Sequence, residues 1–506
     1  MEQVETERKY VLGDDADGVA APVPDLITLP PGYRWGASRD LDLVADYVDT
    51  PDLALLRSGH TLRRREGGDD AGWHLKLPKH GDSRVEVRAP LEDGRSASLV
   101  PPQLRARVDD VVDRAPLVGV ARLVTHRVES EVVRAGPDAQ VVALVADDRV
   151  RSEAPLARRS TAWHEVEVEL VEGTPDDLAE LDQALLAAGL TAAGGGPKLA
   201  HALGVGTDDA PRDRRAKQGS GAEVVLAHLG RQVGMLQALA PGVREDAPDT
   251  VHKSRVATRR LRSTLGSFGK VVDASATQAL RDEVRWWGQV LGAPRDAEVL
   301  QARLVPALDA LPDDQIAGDV RERLSRQLAE RHGAAHAELV EAMDGERAAA
   351  LMEALVDLLV HPPLGPQAKH SAQKVHRRVG KKVRRRVEKA RREAAAASGA
   401  ERLERLHDVR KRAKAARYAH EAFGDLEHAG AKQHAQLWEG VTESLGDWQD
   451  TVVAEVALRQ LAAEAAAAGQ PTATHDVLIA DEQQRGRLAL VKATRQLEEL
   501  APVDGE

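Results

Sequence analysis

No cysteine occurs among the 506 residues, and aromatic side chains make up 3% of them, with two Phe and four Tyr. The first absence excludes disulfides, thiolate metal ligands and a cysteine nucleophile, and it is compatible with a reducing cytoplasm. Any metal must then rest on carboxylates or histidines. The scarcity of rings leaves packing to Ala, Leu and Val and offers few platforms for stacking nucleic-acid bases. No apolar run reaches the ~18 residues a membrane span needs, and no apolar stretch of a signal peptide follows the acidic N-terminus. The expectation is a cytoplasmic protein with no membrane partner. A formal net charge of −11 argues against a chain devoted as a whole to nucleic acid, although cations are concentrated locally.

The length suggests two to four domains, and the hydrophobic period changes along the chain. From residue 1 to about 200, seven short segments alternate with period 2: ETERKYVL, HTLRRRE, GWHLKLPK, RVEVRAPL, RVESEVVR, QVVALVADDRV and WHEVEVELVEG. Bounded by Gly, Pro or Asp, they predict an antiparallel meander or barrel. Their polar positions are repeatedly Arg, Lys and Glu. A solvated face would explain one such strand, but seven point to a closed barrel of about eight strands whose charged interior is a ligand tunnel. Residues 201–220 lack periodicity and supply a linker, placed at 204–219. Beyond it, apolar residues recur at i, i+3, i+4 and i+7, which predicts an all-α domain. The whole is an α+β multidomain chain, with domains expected at 1–203 and 220–503.

On the first strand Glu5, Glu7 and Lys9 share one face. Magnesium or manganese takes oxygen ligands and is commonly held by carboxylates together with substrate phosphates. Glu5 and Glu7 can supply such ligands, as can Glu165, Glu167 and Glu169 on the last strand, with Asp147 or Asp148 as a further candidate. The cations Lys9, Arg63, Arg65, Lys76, Arg84 and Arg127 suit the oxygens of a polyanion. Together they describe a site for a metal-bound chain of phosphates.

The helical half repeats itself at an offset of about 155 residues: VHKSRVATRRLRSTLGSFG returns as LHDVRKRAKAARYAHEAFG, and LGAPRDAEVL as LGDWQDTVVA. Each copy places basic residues at +3, +7 and +10 from a histidine: His252, Arg255, Arg259, Arg262, then His407, Arg410, Lys414, Arg417. On a helix each set forms one cationic stripe that repels itself, so an anionic partner is expected. A third stripe holds Arg378, Lys382, Arg385, Lys389 and Arg392. Nucleic acid is not the expected partner, because no recognisable motif accompanies the charge.

These residues carry a family resemblance. The N-terminal half resembles a CYTH domain of the triphosphate tunnel metalloenzymes, through the ExExK strand Glu5 to Lys9, Tyr47, Asp49 and Thr50, the Arg63 and Arg65 pair, Lys76, Arg84 with Glu86, and Glu167 with Glu169. The helical half resembles a CHAD domain through His252, Arg255, Arg295 and Asp296, while its second copy has Gln449 where the arginine would stand. The resemblance implies an eight-stranded barrel followed by two four-helix-bundle repeats, at about 220–365 and 370–500. It also implies divalent-metal hydrolysis of inorganic triphosphate in the tunnel and binding of inorganic polyphosphate by the helices. Glu5, Glu7 and Lys9 would be catalytic. Lys9, Arg63, Arg65, Lys76, Arg84, Arg127 and Lys198 would hold substrate, and Glu5, Glu7, Asp147, Glu167 and Glu169 would hold Mg²⁺ or Mn²⁺. Polyphosphate would meet the two histidine-led stripes with Arg295, Arg378, Lys382 and Arg385. The alternative is a non-catalytic polyphosphate-binding protein on polyphosphate granules.

Overall fold

The computed structural model describes residues 2–11, 23–79, 83–91, 100–112, 115–136, 139–154, 159–194, 196–205, 216–424 and 431–499; most of the expected linker lies outside them. The chain divides into two compact units, Met1–Arg214 and Arg215–Glu506.

The first unit is a closed antiparallel barrel. Its strands are β1 (Glu2–Val11), β2 (Tyr33–Asp49), β3 (Thr61–Glu66), β4 (Gly72–Lys76), β5 (Ser83–Ala89), β6 (Val118–Arg134), β7 (Val141–Ala154) and β8 (Arg159–Leu170), with a two-residue β9 (Thr191–Ala192) beside β1. The order β5-β4-β3-β2-β6-β7-β8-β1 closes because β1 pairs β8 through Glu7–Val11 and β5 through Glu2–Thr6. Gly36 sits at a register shift between β2 and β6, where an added Cβ would stand 2.7 Å from Val133. A glycine lets β2 bulge there.

The hydrophobic core of this unit lies outside the barrel wall. On one side Val145, Val166 and Val168 pack against Leu178, Leu181 and Leu185 of helix α1 (Pro175–Ala187). On another, Leu62, Trp73, Leu75 and Val87 meet Leu55, Leu104, Val108 and Val112. With the apolar half of most alternations used outside, the charged half faces inward, whereas on β2 Leu41 and Leu43 line the interior and Asp42 faces out.

In the second unit the first copy contains α3 (Gly221–Arg244), α4 (Thr250–Ser267), α5 (Gln278–Val290), α6 (Gly292–Asp309), α7 (Val320–Asp344) and α8 (Glu346–Val360), following α2 (Lys198–Leu203) of the barrel unit. The second contains α9 (Ala372–Ala396), α10 (Gly399–Glu421), α11 (Ala431–Ala467) and α12 (Ala473–Glu499). Both copies have four arms, but the third and fourth are interrupted in the first copy, at Leu291 and Gly345. Pro294 has no N–H for a helical bond to Val290, whereas Trp448 at the matching place lets α11 run on. Gly345 is extended, with ψ 150°.

Along α9 Val375, Val379, Val383 and Val387 are buried at every fourth position, so the intervening cations face solvent. Phe268 and Phe423, which match under the 155-residue offset, pack with centroids 5.4 Å apart and ring planes tilted by 37°, each 1% exposed. Phe268→Ala is expected to cost about 3–5 kcal/mol, because a buried ring is replaced by a void. Denaturant unfolding of the helical unit measures it, and an unchanged midpoint would show the ring contact to be immaterial.

Candidate functional site

The barrel encloses a cavity of about 230 Å³ lined by Glu5, Glu7, Lys9, Tyr47, Arg63, Arg65, Lys76, Arg84, Arg127, Glu167, Glu169 and Lys198, among others. Register explains the meeting: Glu7 lies opposite Glu169, Lys9 opposite Glu167, Glu5 opposite Arg84 and Arg127 opposite Asp148. The strands thus bring together most of the residues singled out from sequence.

Acids and bases neutralise one another here. The Lys9 ammonium meets Glu167 and lies 3.8 Å from Glu7; Lys76 donates to Glu5 at 2.5 Å. Arg127 forks onto both oxygens of Asp148 at 2.7 Å and reaches Glu167 at 3.0 Å. Lys198 touches Asp148 at 2.8 Å, Glu165 at 2.6 Å and Glu167 at 2.9 Å. Burial would lower this ammonium, yet Asp148, Glu167 and Glu165 hold it well above its usual value. Glu169 differs: among the described residues it has no ion pair, and burial, followed by the charges of Glu5, Glu167 and Glu7, raises its carboxyl to about 7 despite Lys76. Burial, then Arg63 and Arg127, lowers Arg65 to about 9. The Nε atoms of Arg63 and Arg65 are buried donors with no acceptor.

The structure corrects the placement of Asp147. It lies on the outer face of β7 against His164, because the pairing of Asp148 with Arg127 fixes the parity of that strand. Asp148, Glu165 and Glu167 offer ligand oxygens within 4.8 Å of one another, an arrangement that could hold a cation. Arg84 lines the cavity but donates to the backbone oxygens of Leu77, at 2.5 Å, and Gly59, at 2.6 Å. Arg39, Arg88 and Glu129 also line it and were missed, although Arg88 and Glu129 continue the alternation from Arg84 and Arg127.

In the helical unit the two stripes converge. The charges of Arg255 and Arg410 act on Arg259, which burial also lowers, and Lys414 feels Arg410, Arg259 and Arg255. Arg255 of α4 and Arg410 of α10 lie over Gly292 and Gly446, 3.8 and 3.4 Å from where a Cβ would stand. Arg255 pairs with Asp296 at 2.6 Å, and Arg295 with Glu298 at 2.9 Å. His252 is half-buried beside Arg295, and burial and that charge lower its imidazole. Gln449 is no empty substitution, since its Oε1 accepts from His407 Nδ1 at 2.8 Å. Arg262 faces Arg285, while Arg417 is bound to Glu421 at 2.7 Å and Glu439 at 2.5 Å. On α9, Arg378 meets His370 at 3.3 Å, and Lys382 and Arg385 are exposed.

Residues 4–192 match the CYTH domain and residues 227–459 the CHAD domain. Two proteins of Mycobacterium tuberculosis, the uncharacterised proteins Rv2226 and MT2285, are each 35% identical over 511 residues, covering 98% of this chain and 96% of theirs. Among solved structures, PptA from Streptomyces chartreusis is similar over 55% of this chain and 99% of its own, at 20% identity and a TM-score of 0.46. The CHAD domain from the plant Ricinus communis is similar over 57% and 91%, at 25% identity and a TM-score of 0.43. Both domain matches fall within one relationship that spans nearly the whole chain, which therefore belongs to the proteins joining an N-terminal CYTH domain to a C-terminal CHAD domain.

Proposed function

We propose that the barrel hydrolyses inorganic triphosphate with Mg²⁺ or Mn²⁺ and that the helical unit binds inorganic polyphosphate, within the cytoplasm and on polyphosphate granules. CYTH domains are metal-dependent phosphoryl hydrolases or cyclases, and both domain types suggest phosphate-containing ligands. The observation that carries the finer reading is the mismatch left in the lumen: a half-buried carboxyl at Glu169 that no ion pair holds among the described residues, and buried Nε donors of Arg63 and Arg65 that meet no acceptor, Arg65 being paired with Asp70 through its terminal nitrogen alone. These residues fit a divalent ion and a phosphate chain together.

Glu5, Glu7 and Glu169 would hold the ion, with Glu167 on the same strand. When bound, it would neutralise phosphate oxygens as the terminal phosphoryl group departs. Lys9, Arg63, Arg65, Arg127 and Lys198 would take the remaining oxygens, Arg as a fork and Lys as a point charge. Because Lys9 and Lys198 now face the acids, metal and substrate are each expected to strengthen binding of the other. Among the described residues Tyr47 is the one aromatic ring lining the cavity, which supports an inorganic chain over a nucleotide.

The test is phosphate release from tripolyphosphate, ATP and thiamine triphosphate, with and without Mn²⁺ or Mg²⁺. Tripolyphosphate turnover that a chelator removes is the expected result. Binding without turnover of any of the three would leave a polyphosphate receptor and end the hydrolase reading.

A further inference from the structure

His74 of β4 lies on the inner side of the barrel wall, where it is 1% exposed, and its neighbour Glu86 of β5 is fully enclosed. Its Nε2 is 2.8 Å from the carbonyl oxygen of Asp70, and its Nδ1 is 3.0 Å from Glu86 Oε1. A carbonyl oxygen only accepts, so Nε2 carries a hydrogen. Nδ1 faces a carboxylate oxygen and also needs a hydrogen between the two atoms. The pair therefore holds two protons, where a neutral imidazole beside a carboxylate would hold one.

The second proton belongs to the ring. Burial favours a neutral Glu86, but the hydrogen bond from His74 and the charges of Lys76 and Arg63 hold its carboxyl well below the usual range. Arg88 also donates to Glu86 through Nε. The same two cations grip Glu5: Lys76 at 2.5 Å on Oε2 and Arg88 at 3.3 Å on Oε1. Glu86 is the hub of this arrangement, and His74 is the group that ties the hub to the backbone.

We propose that His74 is a positioning residue of the tunnel: as an imidazolium bound at both nitrogens it anchors Glu86, and through Glu86 the Lys76 and Arg88 side chains that orient Glu5. The groups facing the ring are Glu86 and Arg88 of β5, Arg63 and Arg65 of β3, Lys76 of its own strand and the Asp70 loop. Burial, with Arg63 and Arg65, lowers the imidazole below its usual value, while the bond to Glu86 opposes them. The ring therefore gives up its second proton as pH rises, and the anchor is complete on the acid side and lost on the alkaline side.

The effect on turnover rests on the triphosphatase reading, whereas the protonation state and metal affinity do not. In the full chain labelled with ¹⁵N-histidine, His74, assigned by comparison with His74→Gln, is expected to be losing its second proton by pH 6.5, since its imidazole is lowered, and to show the imidazolium signature at both nitrogens at pH 5. A neutral tautomer there would overturn the proposal. His74→Leu is expected to weaken Mn²⁺ binding, read by calorimetry, about tenfold, and to raise the Mn²⁺ needed for half-maximal turnover with kcat at saturating metal changed less than about threefold. His74→Gln keeps an amide donor at every pH, so it should restore most of the affinity and flatten the alkaline fall in kcat/KM. A His74→Leu protein with wild-type Mn²⁺ affinity would also overturn the proposal. If the leucine variant does not fold, the glutamine variant and the nitrogen spectrum decide. Absence of phosphate release from the wild type would count against the triphosphatase reading alone.

Discussion

Replacing Glu5 and Glu7 together by Gln is expected to lower metal-dependent phosphate release from tripolyphosphate about a thousandfold or more, since each preorganised charge at such a centre is worth on the order of a hundredfold. The amide keeps the shape and removes the charge. Glu5 is 5% exposed and already held by Lys76 and Arg88, so the substitution leaves two cations facing a neutral group. Tripolyphosphate is then expected to stay bound, or to bind more tightly without metal, because those cations become available to it. Initial rates across a Mn²⁺ titration, with calorimetric binding of tripolyphosphate, separate the two effects. Wild-type turnover in the double variant would place the metal elsewhere, the Asp148, Glu165 and Glu167 cluster being the alternative offered by the lumen. Lys198 occupies that cluster from within the chain, which is why the first strand is the expected seat.

Most of the tunnel was legible because its signal is period 2, and a closed barrel turns period 2 directly into inside and outside. The strand that escaped was β2, the longest together with β6 at 17 residues. Its stretch DLDLVADY does alternate, but Asp40, Asp42 and Asp46 have low strand preference and Gly36 interrupts the run. Those aspartates are tolerated because they meet basic side chains of β6 across the ladder, Asp46 at Arg122 and Asp42 at His126. Asp147 and Asp148 could not be told apart along one strand, since adjacent identical residues carry no parity. Only the neighbour does, and Arg127 selects Asp148.

In the helical half the repeat was legible as matched spacing, whereas what the matched residues touch was not. Arg417 keeps its place in the pattern, yet its charge is used by Glu439 on a helix whose approach no local period encodes. The broken third arm was equally hidden, although Pro294 against Trp448 is its visible cause. His74 illustrates a further limit, since only the position of an acceptor-only carbonyl at Asp70 shows how many protons its ring must carry.

Reversing the charge of Arg255, Arg259, Arg410 and Lys414 to Glu is expected to weaken polyphosphate binding about a thousandfold, since each charged contact contributes roughly 1.5–3 kcal/mol and neighbouring contacts add incompletely. The four come from α4 and α10, so the two copies of the repeat build one cluster. Lys414 shows what gathering them costs. Burial, then Arg410, Arg259 and Arg255, lowers its ammonium to about 7, against the pull of Asp450. An unfolded lysine keeps its proton to about 10.4, so between pH 7 and 10 the unfolded chain holds more protons and this site's contribution to stability rises with pH. Polyphosphate supplies the missing anion and restores the proton. Binding at pH 8 should therefore take up close to one proton, and affinity should fall as pH rises from 6 to 8. Calorimetry in buffers of different ionisation enthalpy measures that uptake. Lys414→Arg, charged throughout, should bind with little pH dependence, and Lys414→Met should bind more weakly at pH 6 while raising the unfolding temperature there. Unchanged retention of the fourfold reversal on immobilised polyphosphate at physiological salt would remove the cluster from the binding surface and leave the exposed cations of α9 as the face that polyphosphate meets.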